Sequence, residues 1–162
     1  MSWFKTYLLG FLLFLAACGF EPALSPSSPG ASFLNNLEVP VQESREDFEF
    51  RAELLKQIGD PSAEAQFRLE YDLNISESIV TISSDADLDR YTLVGIVTYR
   101  LIDIEDQRVV DQDVVRASSG YSATSDTFPT RIAERDARTR LVQSLASRLY
   151  QVLLLEADTI LK

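Results

Sequence analysis

The chain has 162 residues, with 15 Lys plus Arg against 25 Asp plus Glu, one Cys and no His. That length suits a single domain, and 46% hydrophobic with 25% charged residues is the make-up of a globular fold, not of a wholly disordered chain. The missing His excludes imidazole acid–base chemistry, Ser-His-Asp and Cys-His catalysis and His-built zinc sites, while a net charge of -10 argues against a nucleic-acid binder.

Residues 1–17 read as a signal peptide. Lys5 precedes the apolar run Tyr7 to Leu15, which ends in Ala16-Ala17-Cys18; a short charged start, an apolar stretch of roughly 7–15 residues and small residues at the cut define a secretory leader. The run falls short of the ~20 residues that span a bilayer. Leu15-Ala16-Ala17-Cys18 resembles the bacterial lipobox, in which the Cys receives diacylglycerol and, after cleavage, a further acyl chain such as palmitate. Cys18 is thus the expected lipidation site, and several chains on one residue make a stable anchor. Gly19, in place of an Asp, favours the outer membrane. Residues 18–33, rich in Pro, Ser and Gly from Glu21 to Ser32, read as the acylated Cys and a flexible tether. Residues 34–162 are left as one domain.

Within it, Leu34 to Val41 reads as a short strand ended by Pro40. Ser44 is a candidate N-cap, and the pattern predicts a helix over 45–58 with Phe48, Ala52, Leu55 and Ile58 on its apolar face and Gly59 as its stop. Phe67, Leu69, Tyr71, Leu73 and Ile75 alternate with polar residues, so a strand with one wet face begins there and continues past a bend near Ser76-Glu77-Ser78. Ser83 to Asp89 reads as a polar hairpin tip. Tyr91 to Ile104 carries Tyr91, Leu93, Val97, Tyr99 and Leu101 on one face and Val94, Ile96 and Ile102 on the other, which predicts a central strand. Glu105-Asp106-Gln107 turns the chain into a strand from Arg108 to Gly120. Ser125 or Asp126 caps a long second helix with Pro129 in its first turn. There Ala133, Ala137, Leu141, Leu145, Leu149 and Leu153 step by four, widened by Val142, Ala146 and Val152. The expected fold is α+β: a single mixed or antiparallel sheet of about four strands with two helices on one face.

Few residues point to chemistry. Asp85, Asp87 and Asp89 alternate as in a calcium loop, but Arg90 stands where the sixth-position Gly belongs and Ile96 where the twelfth-position Glu belongs, so no metal is expected. Arg131, Arg135, Arg138, Arg140 and Arg148 gather on the second helix. They read either as a solvated face stitched by Glu134–Arg138 and Asp136–Arg140 pairs or as a basic strip for phosphates or carboxylates. Arg90, Arg100, Arg108 and Arg116 lie on or beside the strands. Ser118 to Ser122 offers hydroxyls without a base. An enzyme would need a carboxylate pair, with Asp72 or Asp111 as members.

The mature start Cys18-Gly19-Phe20-Glu21-Pro22, then Arg90-Tyr91-Thr92-Leu93-Val94-Gly95, Val97-Thr98-Tyr99-Arg100-Leu101, Val109-Val110, Tyr121-Ser122, Ala133-Glu134-Arg135-Asp136-Ala137 and Leu145-Ala146-Ser147-Arg148-Leu149 follow one another in an order and spacing that resembles the LPS-assembly lipoprotein family LptE in its alphaproteobacterial form. Thr127-Phe128-Pro129 departs from the family's Tyr-Ala-type helix start, and Asp106-Gln107 stands where a turn Gly is common. The resemblance implies a non-catalytic, lipid-anchored subunit of the outer-membrane lipopolysaccharide translocon. Such a subunit sits as a plug inside the LptD β-barrel, in a 1:1 heterodimer, and assists lipopolysaccharide delivery to the outer leaflet. Its implied partners are LptD, lipopolysaccharide and outer-membrane lipid, with no cofactor and no nucleic acid. It also implies lipopolysaccharide binding through basic residues at one end of the domain, for which Arg90, Arg131, Arg135 and Arg138 are the candidates. The rival reading is an auxiliary lipoprotein of a periplasmic lipid-transfer system holding lipid in an apolar groove, which predicts a cavity of several hundred Å³ between helices and sheet.

Overall fold

The computed structural model describes residues 29–41, 44–59, 65–81, 88–124 and 126–161. The leader, Cys18 and the tip residues Asp85 and Asp87 lie outside them. Seven elements follow in order: α1 (Pro29–Asn35), β1 (Leu37–Glu38), α2 (Arg45–Ile58), β2 (Phe67–Thr81), β3 (Leu88–Asp103), β4 (Val109–Thr124) and α3 (Thr127–Ile160). The strands form one sheet in the order β1-β2-β3-β4. The β2–β3 and β3–β4 pairs are antiparallel, and β1 adds a two-residue parallel pair, Leu37 to Phe67 and Glu38 to Arg68. The sheet is therefore mixed and open, and the α+β expectation holds.

The start of the domain differs from the expected strand and tether. Residues 29–35 are helical, with Pro29 at the favoured first position, so a third helix joins the two foreseen and part of the 18–33 tether is folded. Phe33 and Leu34, adjacent in sequence, are both buried, which the alternation of a strand cannot satisfy and a helix can. The Phe33 ring sits 5.2 Å from that of Phe67. A Cβ on Gly30 would lie 2.6 Å from Leu154 Cδ1, so a larger residue there would make that leucine side chain shift. Strand pairing stops after Glu38 because Pro40 has no N–H to donate.

Helix α2 has the expected bounds and caps. Ser44 Oγ accepts from the Asp47 N–H at 3.0 Å, and Gly59, at φ 92, donates its N–H to the Leu55 carbonyl at 2.8 Å. Its buried face is rotated from the expected one. Phe50, Leu54 and Ile58 point inward, whereas Phe48 is 62% exposed. Three large apolar side chains at i, i+4, i+8 outweigh a stripe that includes only Ala52 at its centre. Phe50 meets Tyr71 with ring centroids 4.9 Å apart.

Strand β2 runs unbroken through Ser76 to Ser78 where a bend was expected, its register slipping only between Ile79 and Thr81. Strand β4 continues to Thr124, beyond Gly120. The β3 alternation is as read: Leu93, Gly95, Val97, Tyr99 and Leu101 are buried beneath the helices, while Val94, Ile96 and Ile102 are half-buried on the other face. At the β3–β4 turn Gln107 takes φ 57 without being glycine. Its side-chain amide donates to the Ile104 carbonyl at 2.7 Å, which offsets the cost of that backbone conformation.

Helix α3 spans 34 residues, about 51 Å, against about 21 Å for the 14 residues of α2. Ala137, Leu141, Val142, Leu145, Ala146, Leu149, Leu153 and Ala157 are buried, so the predicted stripe faces the sheet. Asp126 occupies the N-cap position but makes no side-chain cap, and Ser125 lies outside the described residues. Thr130 serves instead: its hydroxyl accepts from the Thr124 N–H at 3.0 Å and lies 2.9 Å from the Asp126 carbonyl, pinning the helix start to the end of β4. Among the described residues no helix is long and apolar enough to cross a membrane.

Candidate functional site

Helices α2 and α3 run side by side in the same direction: Gln57 Nε2 donates to Ser147 Oγ at 3.2 Å near the end of α2, and the start of α2 lies beside residues 131–138. Between their facing turns is an open groove of about 330 Å³, lined by Arg45, Glu46 and Glu49 from α2 and by Arg131, Glu134, Arg135 and Arg138 from α3. Helical spacing creates the α3 wall, since positions 131, 135 and 138 share one face.

Part of this charge is internally matched. Arg45 pairs with Glu49 and Arg138 with Glu134, each at 3.0 Å, and Arg138 also reaches Glu77 of β2 at 3.9 Å. These pairs are half-exposed and worth no more than about 1 kcal/mol each. Arg131 and Arg135 have no carboxylate within ion-pair distance among the described residues. Glu77 also accepts from Tyr121 Oη at 3.2 Å, and Tyr121 stacks on Tyr91 with centroids 5.1 Å apart. Burial and then the Glu77 charge push the Tyr121 phenol up to about 12.

The structure thus brings together Arg131, Arg135 and Arg138 but not Arg90. Arg90 precedes Tyr91 on β3 and, by alternation, projects from the opposite sheet face. Arg45, Glu46 and Glu49 were missed in the sequence because nothing in it reveals that two helices nearly ninety residues apart lie side by side. Arg140 and Arg148 have other roles: Arg140 pairs with Asp136 and donates to the Gly120 carbonyl at 3.1 Å, and Arg148 donates to the Arg116 carbonyl at 2.8 Å. Asp72 and Asp111 are not a pair. Asp72 lies exposed on the open sheet face, while Asp111 accepts from the buried Tyr99 hydroxyl at 2.8 Å beneath the helices.

A second open groove, of about 540 Å³, runs beside β2 where Pro40 ends the parallel pairing; Glu70, Asp72, Thr98 and Arg100 line it with Pro40 and Tyr71, and Arg100 pairs with Glu70 at 2.9 Å. Neither groove is an enclosed apolar pocket, and the space between helices and sheet is filled by leucines and aromatics. Among the described residues no cluster of metal-ligating side chains occurs.

This architecture defines a small α+β domain: a charged groove open to solvent over a packed core, backed by one long helix. Two solved structures share the fold. A lipoprotein from Caulobacter crescentus superposes with TM-score 0.66 at 20% identity, covering 82% of this chain and 97% of that one. A minor lipoprotein from Acinetobacter baumannii gives 0.52 at 11%, covering 74% and 91%. No curated protein matches the sequence significantly. The family model described as LptE, lipopolysaccharide-assembly, matches residues 34–152, and the chain belongs to that family.

Proposed function

We propose that this member of the lipopolysaccharide-assembly family is a lipid-anchored, non-catalytic subunit of the outer-membrane lipopolysaccharide translocon. In this reading Cys18 carries the acyl anchor after removal of residues 1–17, and the domain seats 1:1 as a plug in the lumen of the LptD β-barrel. The groove arginines Arg131 and Arg135, with Arg138, meet lipopolysaccharide phosphates by charge-assisted contacts.

The observation that carries the reading is the family match over 34–152 combined with two groove arginines that have no carboxylate partner among the described residues, in a chain of net charge -10. A charged exterior over a dry core also suits a polar barrel lumen. Co-purification tests it. With an affinity tag after Lys162 and the outer membrane solubilised in mild detergent, a large β-barrel should accompany the protein at 1:1. Recovery of phospholipid with no barrel would favour the lipid-transfer rival instead. Cys18→Ala should abolish membrane anchoring, and palmitate still entering that variant would overturn the lipidation assignment.

A further inference from the structure

Helix α3 projects beyond the start of α2, and its first turns carry large apolar side chains in the open. Phe128 is 75% exposed and Ile132 55%. Phe128, Arg131, Ile132 and Arg135 fall at i, i+3, i+4 and i+7, so they share one helix face. That face continues the stripe that, further along α3, buries Val142 and Ala146. The sheet below is uncovered at the same end: Ile79, two residues past the Glu77 that reaches Arg138, is 55% exposed on the helix side of β2. Single exposed apolar residues need no explanation. Phe128 and Ile132 share a helix face with Arg131 and Arg135, which make no ion pair among the described residues, and so form a surface with a cationic part and an apolar part side by side.

We propose that Phe128 and Ile132 form an apolar rim beside the groove arginines that takes the acyl portion of a phosphorylated glycolipid, while Arg131 and Arg135 take its phosphates. The rim selects the amphiphile over the sugar phosphate alone. The inference rests on the lipopolysaccharide reading above and adds the residues that recognise the lipid half. Four arginines against three glutamates leave the groove net positive, which favours a phosphate-bearing ligand, and the adjoining apolar side chains gain only if acyl chain leaves water with them.

The test uses the full acylated chain in nonionic detergent and competition against fluorescent lipid A. The probes are diphosphoryl lipid A, its deacylated disaccharide diphosphate and phosphatidylglycerol. Phe128→Ser with Ile132→Ser should weaken lipid A binding tenfold or more and leave the deacylated compound within twofold. Arg131→Ala with Arg135→Ala should weaken both. Both pairs are exposed, so the melting midpoint should hold; Phe128→Gln alone serves as a milder variant. Lipid A affinity within twofold for the Phe128/Ile132 variant overturns the apolar rim. Unchanged lipid A affinity in the arginine variant sinks the phosphate assignment of the proposed function without touching the rim. Phosphatidylglycerol competing as well as lipid A would overturn the commitment to a glycolipid in favour of a general anionic membrane surface.

Discussion

Gly95 decides how closely α3 lies on the sheet. It sits on the buried face of β3, and a Cβ built there would stand 2.6 Å from Leu145 Cδ1 and 3.3 Å from both Leu141 methyls. Leu141 and Leu145 are fully buried, so neither can swing into free space. Adding one methyl to a packed core of this kind costs about 1–3 kcal/mol, while replacing a strand glycine by alanine returns about 0.5–1 kcal/mol of chain entropy. Gly95→Ala should therefore lose about 1–2 kcal/mol, a fall of roughly 4–8 °C in melting midpoint by circular dichroism for a domain of this size. Leu145→Ala alone should cost about 2–5 kcal/mol through its cavity. In the double variant the new methyl occupies part of that cavity, so the loss should fall short of the sum by about 1 kcal/mol or more. Strict additivity, or a Gly95→Ala protein as stable as the parent, would refute the close seating of α3 on β3.

The rotated face of α2 gives a sharp contrast: Phe50→Ala should cost about 3–5 kcal/mol in chemical denaturation and Phe48→Ala no more than about 0.5. Equal effects would mean the helix presents the other stripe. Burial and the neighbouring Asp47 push the Tyr71 phenol up to about 12, and Tyr99 is raised by burial, its hydrogen bond to Asp111 and the charges of Asp111, Asp113 and Glu156. Because the folded values lie above the unfolded value of about 10, this stabilisation is intact below pH 10 and is lost as pH climbs from about 10 towards 12. Tyrosinate absorbance should show these phenols titrating later in the native than in the urea-unfolded chain, and coincident curves would contradict the burial. At the β3–β4 turn, Gln107→Gly should be neutral to within about 0.5 kcal/mol, since relief of the positive φ is offset by chain entropy and the lost amide bond. Gln107→Val should cost about 2 kcal/mol, and a harmless Val would show that the turn relaxes to another shape.

Most of the sheet and both long helices were legible because their periods are unambiguous. Strict alternation from Phe67 to Ile75 and leucines stepping by four from Leu141 to Leu153 each admit one reading. Helix α1 was not, since seven residues with Pro, Gly and Ser at the start resemble a linker until Phe33 and Leu34 find Phe67 and the core. The α2 face was mistaken because two stripes coexist in Arg45–Ile58, and only the contact with Tyr71 selects between them. For the site, the sequence yielded one wall of the groove, the arginines of α3, and not the other, because the pairing of α2 with α3 is a tertiary fact. Arg90 was grouped with them by its charge, yet a single step along a strand puts it on the far face.

The arginines of α3 show why composition alone does not define a site. All sit on one helix, but the sheet edge sorts them. Strand β4 is the last of the sheet, so its outer carbonyls lack a neighbouring strand, and an unshielded edge invites pairing with another chain. Arg140 and Arg148, two turns apart, donate to the carbonyls of Gly120 and Arg116 and occupy part of that edge with charge. Arg138 pairs with Glu134 on its own helix and reaches across to Glu77 of β2. Arg131 and Arg135 line the groove beside the start of α2 together with Glu46 and Glu49, yet neither makes an ion pair among the described residues. The exposed Phe128 and Ile132 follow from the mismatch between a helix of 34 residues and one of 14. Extending α2 by two turns at its start would cover the apolar pair.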